Sequence, residues 1–196
     1  METIDLEGRK GLVVGIANEH SLAWSAARHF RNAGAELALT YLNDKARPHV
    51  EPLAREVNAG LLLPCGVTVP GQLEAVFEAI RQRWGRLDFL LHAVAWARKE
   101  ELHGRLTDCS AEGFAESMVI SCHSLIRMAQ LAEPLMDRGG SLMTLSYVGA
   151  EKIVDHYNVM GPVNAALVLA SDYTTAITGE VLYVDAGFHV AGMVFH

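Results

Sequence analysis

The chain has 196 residues, 51% of them hydrophobic and 20% charged, enough for one domain with its own core. A formal net charge of −7 argues against a nucleic-acid binder, which needs basic patches to meet phosphates. No uncharged apolar run reaches the ~18 residues of a membrane-spanning helix.

The elements alternate short apolar runs with amphipathic stretches. Gly11–Gly15 is expected as a first buried strand. A helix from Ser21 to Asn32 follows, with Ser21 as N-cap and Gly34 as stop. Glu36–Tyr41 forms a second strand, Lys45–Val57 a helix with Pro48 near its start, and Leu61–Pro64 a third strand. Pro70–Trp84 reads as a helix with proline in its first turn. Leu87–His92 is continuous and apolar, as buried parallel strands are. Ala111–Met136 is a long helix with an interruption near Pro134, and Ser141–Leu145 a fifth strand. A further helix opens at about Tyr157, and Val181–Val184 is the last strand. This βαβ order predicts an α/β fold, a doubly wound parallel sheet with helices on both faces. Residues 1–196 form a single domain in this reading.

Cys65, Cys109 and Cys122 lack CxxC spacing and fit reduced thiols in a cytoplasmic protein. The nine histidines form no HExxH or His/Cys motif, so no metal site is expected. The acidic start, Met1 to Gly8, lacks the apolar core of a signal peptide, and export is not expected.

Strand one runs directly into Gly15. A glycine there lets the backbone turn tightly beside a pyrophosphate, and the following helix N-terminus supplies free N–H groups. Only one glycine of GxGxxG is in place, so the pattern alone leaves nucleotide binding and an ordinary strand-to-helix turn both open.

The stretch from Ser146 to Asn164 places Tyr147 and Tyr157 ten residues apart. A phenol so placed can hydrogen-bond an oxygen that becomes negative during a reduction. With Gly11–Trp24, Leu39–Lys45, Leu87–His92 and Thr178–Asp185, this stretch resembles the enoyl-acyl-carrier-protein reductases, a branch of the short-chain dehydrogenase/reductase superfamily. The similarity runs along nearly the whole chain.

The resemblance implies a Rossmann fold of that superfamily's type and reduction of a trans-2-enoyl thioester in fatty acid biosynthesis. It also implies an acyl-carrier-protein-bound substrate and a homotetramer. The implied cofactor is NADH/NAD before NADPH: no arginine immediately follows the second strand, while Lys45 and Arg47 keep NADPH open. Implied cofactor-binding residues are Gly15, Ile16, Ala17, Ser21, Leu22, Leu42, Gly66, Val67, Ala93, Val94, Ala95, Leu145 and Asn164. Implied catalytic residues are Tyr157, toward the enolate oxygen, Tyr147, lining the pocket, and Asn164. Met160 reads as packing. Arg98, Lys99 and Arg105 either help guide an acidic carrier protein or are plain surface charges.

The chain departs from the family pattern at four places. Asn164 stands where the family has a lysine that bonds the nicotinamide ribose and lowers the phenol's pKa. Gly66 replaces an aspartate that accepts from the adenine amino group, and Ala93 replaces a serine. Several dozen residues are also missing near 167–170, where Leu167 runs almost directly into Ser171-Asp172. Either the protein lacks that segment, or, as is expected first, the sequence joins two parts across it. These departures leave an alternative: a catalytically impaired relative that binds dinucleotide or partner subunits. A carbonyl-reducing dehydrogenase ranks behind both, because Gly161 stands four residues after Tyr157 where that group has lysine.

Overall fold

A computed structural model describes residues 5–147, 150, 154 and 156–171. Five strands, β1 (Lys10–Val14), β2 (Glu36–Tyr41), β3 (Leu61–Pro64), β4 (Phe89–His92) and β5 (Ser141–Thr144), pair in the order β3-β2-β1-β4-β5, all parallel. Such a sheet needs cover on both faces. Helices α1 (Leu22–Asn32) and α2 (Arg47–Glu56) cover one face, and α3 (Gln72–Trp84) and α5 (Ser124–Ala132) the other.

Strand alternation sorts the core. Val13, Leu37, Leu39, Phe89 and Leu91 point to the α1/α2 side with Trp24, Ala27, Val50 and Leu53. Leu12, Val14, Ala38 and Leu90 point the other way, onto Val76, Phe77, Ile80, Met128 and Leu135. Gly11 lies opposite Phe89 in the β1–β4 register, and the Phe89 ring, tilted against Phe30, occupies the space a Cβ at position 11 would need.

The first five strand expectations hold to within two residues at each end. Three helix expectations change. Pro70 lies before α3, not in its first turn, because the chain turns at Val69–Gln72, where the Gln72 N–H donates to the Val69 carbonyl at 3.2 Å. The long helix is three pieces: α4 (Ala111–Met118), a π-turn (Val119–His123) and α5, closed by a 3₁₀ turn at Glu133–Leu135 that contains Pro134. A π-turn inserts one residue into the helix and recurs at functional sites. Tyr157 does not open a helix: α6 runs Met160–Ser171. His156 (φ +60°) and Asn158 (φ +24°) are left-handed, and a helix cannot run through them.

The backbone of α6 continues through residues 167–170, the junction in the sequence, and α6 packs against the π-turn and α4. The expected strand Val181–Val184 lies outside the described residues. Among the described residues, no helix is long and apolar enough to cross a membrane.

The Ser21 cap is as expected. Its Oγ accepts from the Trp24 N–H at 3.4 Å, while its carbonyl accepts from Trp24 at 3.0 Å and Ser25 at 3.2 Å. Ser21→Ala is expected to lower unfolding free energy by about 1 kcal/mol, measured by urea denaturation.

Candidate active site

The carboxyl ends of all five strands open on one edge of the sheet, where open α/β folds bind ligands. Each strand delivers an expected cofactor residue there: Gly15 to Ala17 after β1, Leu42 after β2, Gly66 and Val67 after β3, Ala93 to Ala95 after β4, and Leu145 after β5. Apolar side chains are left uncovered at this edge. Leu22 is 72% and Leu42 60% exposed, and Val69, Trp96 and Leu145 are exposed with them.

Gly15 shows why the β1 turn takes glycine. Its φ is +104°, and a Cβ would fall on the Ala93 carbonyl, whose own N–H donates to the Val14 carbonyl at 2.9 Å. The strand ends β1 and β4 thus close to backbone contact. The first N–H groups of α1, at Leu22 and Ala23, have no carbonyl four residues back within the helix. Orphan donors of that kind receive a pyrophosphate. This cradle fits a dinucleotide.

Other expected contacts are placed differently. The Ile16 side chain is buried in the core. The Gly66 N–H is already accepted by Gln72 Oε1 at 2.6 Å. Val67 and Val94 pack partly against the α3/α5 core.

Tyr147, Tyr157 and Asn164 come together. The two phenol rings meet edge to face with centroids 4.9 Å apart. The Asn164 amide nitrogen donates to the Tyr157 hydroxyl oxygen, so the phenol keeps its own O–H to give elsewhere. Asn164 is 2% exposed and Tyr147 51%. Burial pushes the Tyr157 phenol up from its ordinary value; the Asn164 hydrogen bond offsets part of this, and Tyr147 adds to it. Met160 packs with Val159, Val163, Leu102 and Met118, a core residue as expected.

A second polar group escaped the sequence reading. His92, fully buried at the end of β4, joins β5 and the helix across the sheet. Ser124 Oγ donates to the Ile120 carbonyl at 2.6 Å, so it accepts from His92 Nε2–H at 2.8 Å. His92 Nδ1 is then bare and accepts from Thr144 Oγ1 at 3.0 Å. Burial pushes this imidazole down to about 4 and keeps it neutral. Nearby, Ser121 Oγ in the π-turn accepts from the Trp96 N–H at 3.0 Å and donates to the Trp96 carbonyl at 3.3 Å, pinning the strand-four loop. The only sequence signal was a run of serines on an otherwise apolar helix face.

Among the three basic residues considered for a carrier protein, Arg98 is committed to Glu112 at 2.9 Å and Glu116 at 2.6 Å, while Lys99 and Arg105 are exposed.

A family model described as enoyl-(acyl carrier protein) reductase matches residues 15–168. An enoyl-[acyl-carrier-protein] reductase [NADH] 2 of Rhizobium meliloti (strain 1021) is 44% identical over 175 residues, covering 89% of this chain and 65% of the relative. A second reductase of that organism, enoyl-[acyl-carrier-protein] reductase [NADH] 1, is 34% identical over 252 residues, covering 96% of this chain and 93% of the relative. That alignment is longer than the chain itself, so the relative carries positions without a counterpart here. The crystal structure of the enoyl-(acyl-carrier-protein) reductase from Anaplasma phagocytophilum in complex with NAD superposes with a TM-score of 0.83 at 48% identity, over 86% of this chain and 64% of that one. The chain spans just under two thirds of the first of these relatives and of that structure. A parallel sheet in this strand order, a matching family model over most of the chain and relatives at this identity all point one way: the chain belongs to the enoyl-(acyl carrier protein) reductase family of the short-chain dehydrogenases/reductases.

Proposed function

We propose that the chain is an NADH-dependent reductase of the trans-2 double bond of enoyl-acyl-carrier-protein thioesters, working in fatty acid biosynthesis. The observation that carries this reading is the Tyr157 phenol, held from behind by the Asn164 amide and free to donate forward. The relatives named as NADH reductases and the NAD-bound Anaplasma structure support the cofactor.

The dinucleotide would be held by the Gly15 turn, the start of α1 and the backbone of Ala93 to Ala95, with Leu22, Leu42 and Leu145 against its apolar faces. Bound there, it would supply the hydride for the β-carbon of the enoyl thioester. Tyr157 holds its O–H toward the thioester oxygen, where negative charge collects as that carbon is reduced. A hydrogen bond aimed at the developing charge lowers the barrier more than one aimed at the neutral ground state. The Tyr147 ring fixes the Tyr157 ring from the side. Asn164, with two N–H groups and a carbonyl, can serve the tyrosine and a ribose hydroxyl together.

The protein is read as a single cytoplasmic dinucleotide-binding domain that assembles as a homotetramer. Phe114, Val119 and Ile126, exposed on α4, the π-turn and α5, offer apolar side chains for a second copy. Lys99 and Arg105 remain to meet an acidic carrier protein. Intact mass separates the two accounts of residues 167–170: 21.3 kDa for the chain as it stands, more for one that carries the segment.

The deciding experiment follows NADH consumption with a short trans-2-enoyl thioester and, in parallel, with a ketone. Turnover of the thioester alone is expected. Turnover of the ketone alone would overturn the reading. NADH binding without turnover of either would establish the second reading, an impaired relative, which the asparagine at position 164 favours.

A further inference from the structure

We propose that His103 and His156 form a two-histidine binding site for a borderline divalent cation such as Zn²⁺, bridging the loop after β4 to the turn that carries Tyr157. The two residues are 53 positions apart, and the fold brings their Nδ1 atoms to 3.1 Å. The rings meet edge to face with centroids 5.1 Å apart. Spacing motifs read within one segment, so a pair made by tertiary contact escapes them.

The geometry suits a shared metal. Two nitrogens 3.1 Å apart, each about 2.1 Å from one ion, subtend about 95° at it, close to a cis pair of tetrahedral or octahedral ligands. Both side chains are exposed, so the ring rotations that turn both lone pairs onto one point disturb no core packing, and solvent can complete the coordination shell. The backbone sets the pair in advance. His156 takes a left-handed φ of +60°, and the Asn158 side chain reaches back to the His103 carbonyl at 3.4 Å and the Arg105 carbonyl at 3.5 Å. The two ligands are therefore held near each other before the ion arrives, which raises the effective concentration of the second for an ion bound to the first.

The consequence reaches the candidate active site. His156 immediately precedes Tyr157, and the Met160 N–H closes the turn on the Tyr157 carbonyl at 2.8 Å. An ion joining positions 103 and 156 would fix the tyrosine's turn to the strand-four loop. The site stands whether or not the chain reduces an enoyl thioester, because its test reads binding.

The test titrates the full chain, ¹⁵N-labelled at histidine, with Zn²⁺ in a calorimeter and by NMR of the imidazole nitrogens. Expected are one Zn²⁺ per chain and a metal shift at the Nδ1 of two histidines. His103→Ala and His156→Ala should each weaken that binding about tenfold or more and abolish both shifts, with the double variant little worse than either single one. Equal Zn²⁺ affinity in both single variants, or shifts confined to other histidines, would overturn the proposal and leave the pair a plain imidazole hydrogen bond. Circular dichroism of each variant confirms that the fold is kept, so a loss of binding reports the ligands.

Discussion

Asn164→Lys is expected to raise the rate of NADH consumption with a trans-2-enoyl thioester about 10²–10³-fold, equivalent to ~2.7–4 kcal/mol of transition-state stabilisation. The reason lies in the balance of forces on Tyr157. Burial raises its pKa, Tyr147 raises it further, and only the neutral Asn164 amide acts the other way. A phenol with a high pKa is a poor hydrogen-bond donor to an enolate oxygen. An ammonium group in place of the amide would lower that pKa and add a positive charge beside the growing negative one. Position 164 is almost fully enclosed, so the ammonium would need partners, and the ribose hydroxyls of bound NADH and the Tyr157 oxygen are suitable ones. Tyr157→Phe in the lysine background should cancel the gain, because the charge would act through the phenol. Equal rates for the asparagine and lysine proteins would show that the amide–phenol pair is sufficient and that the substitution is not an impairment.

The second large effect concerns acid stability. The neutral imidazole of His92 sits at about 4 in the fold against an ordinary 6.5. Below about 6.5 the unfolded chain takes up a proton that the folded one refuses, so stability is full above that pH and falls as pH drops toward 4. The loss amounts to about 3 kcal/mol across the window. Glu36, Glu51 and Glu101 are held below the usual carboxylate range by Lys10, by Arg55 and by Ser110 respectively, and their contributions fade only below about 4.5. The upper part of the window therefore isolates the histidine. Urea denaturation at pH 7 and pH 5 should show a marked drop in the native protein and a much smaller one in His92→Gln. An identical drop in both would mean that His92 is not the titrating group.

The strands were legible because a buried parallel sheet demands uninterrupted apolar runs, and Leu12–Val14, Leu37–Leu39 and Phe89–Leu91 supply them. The Ser21 cap was legible because capping is local chemistry. The start of α6 was not: Tyr157 and Met160 share helical spacing, and nothing in their identities announces the left-handed backbone at His156 and Asn158. Nor was the π-turn, whose Ser121 bonds to a loop some twenty-five residues away. The meeting of Tyr147, Tyr157 and Asn164 was expected from the family resemblance; the direct amide–phenol bond was not, because the lysine it replaces was assigned to the ribose. His92 shows the general limit. Its partners lie 32 and 52 residues distant, and only the folded sheet brings them to its two nitrogens.

The Phe89 ring that fills the space beside Gly11 also bears on how this lineage can vary. Neither position is free to drift alone. An alanine or valine acquired at 11 would be tolerated only in a background where 89 had already shrunk, while a small residue at 89 with glycine kept at 11 would leave a void between neighbouring strands. Across descendants of this sequence the two sites should therefore change in a fixed order, the aromatic first, and a family tree should show few branches on which the glycine moved before it.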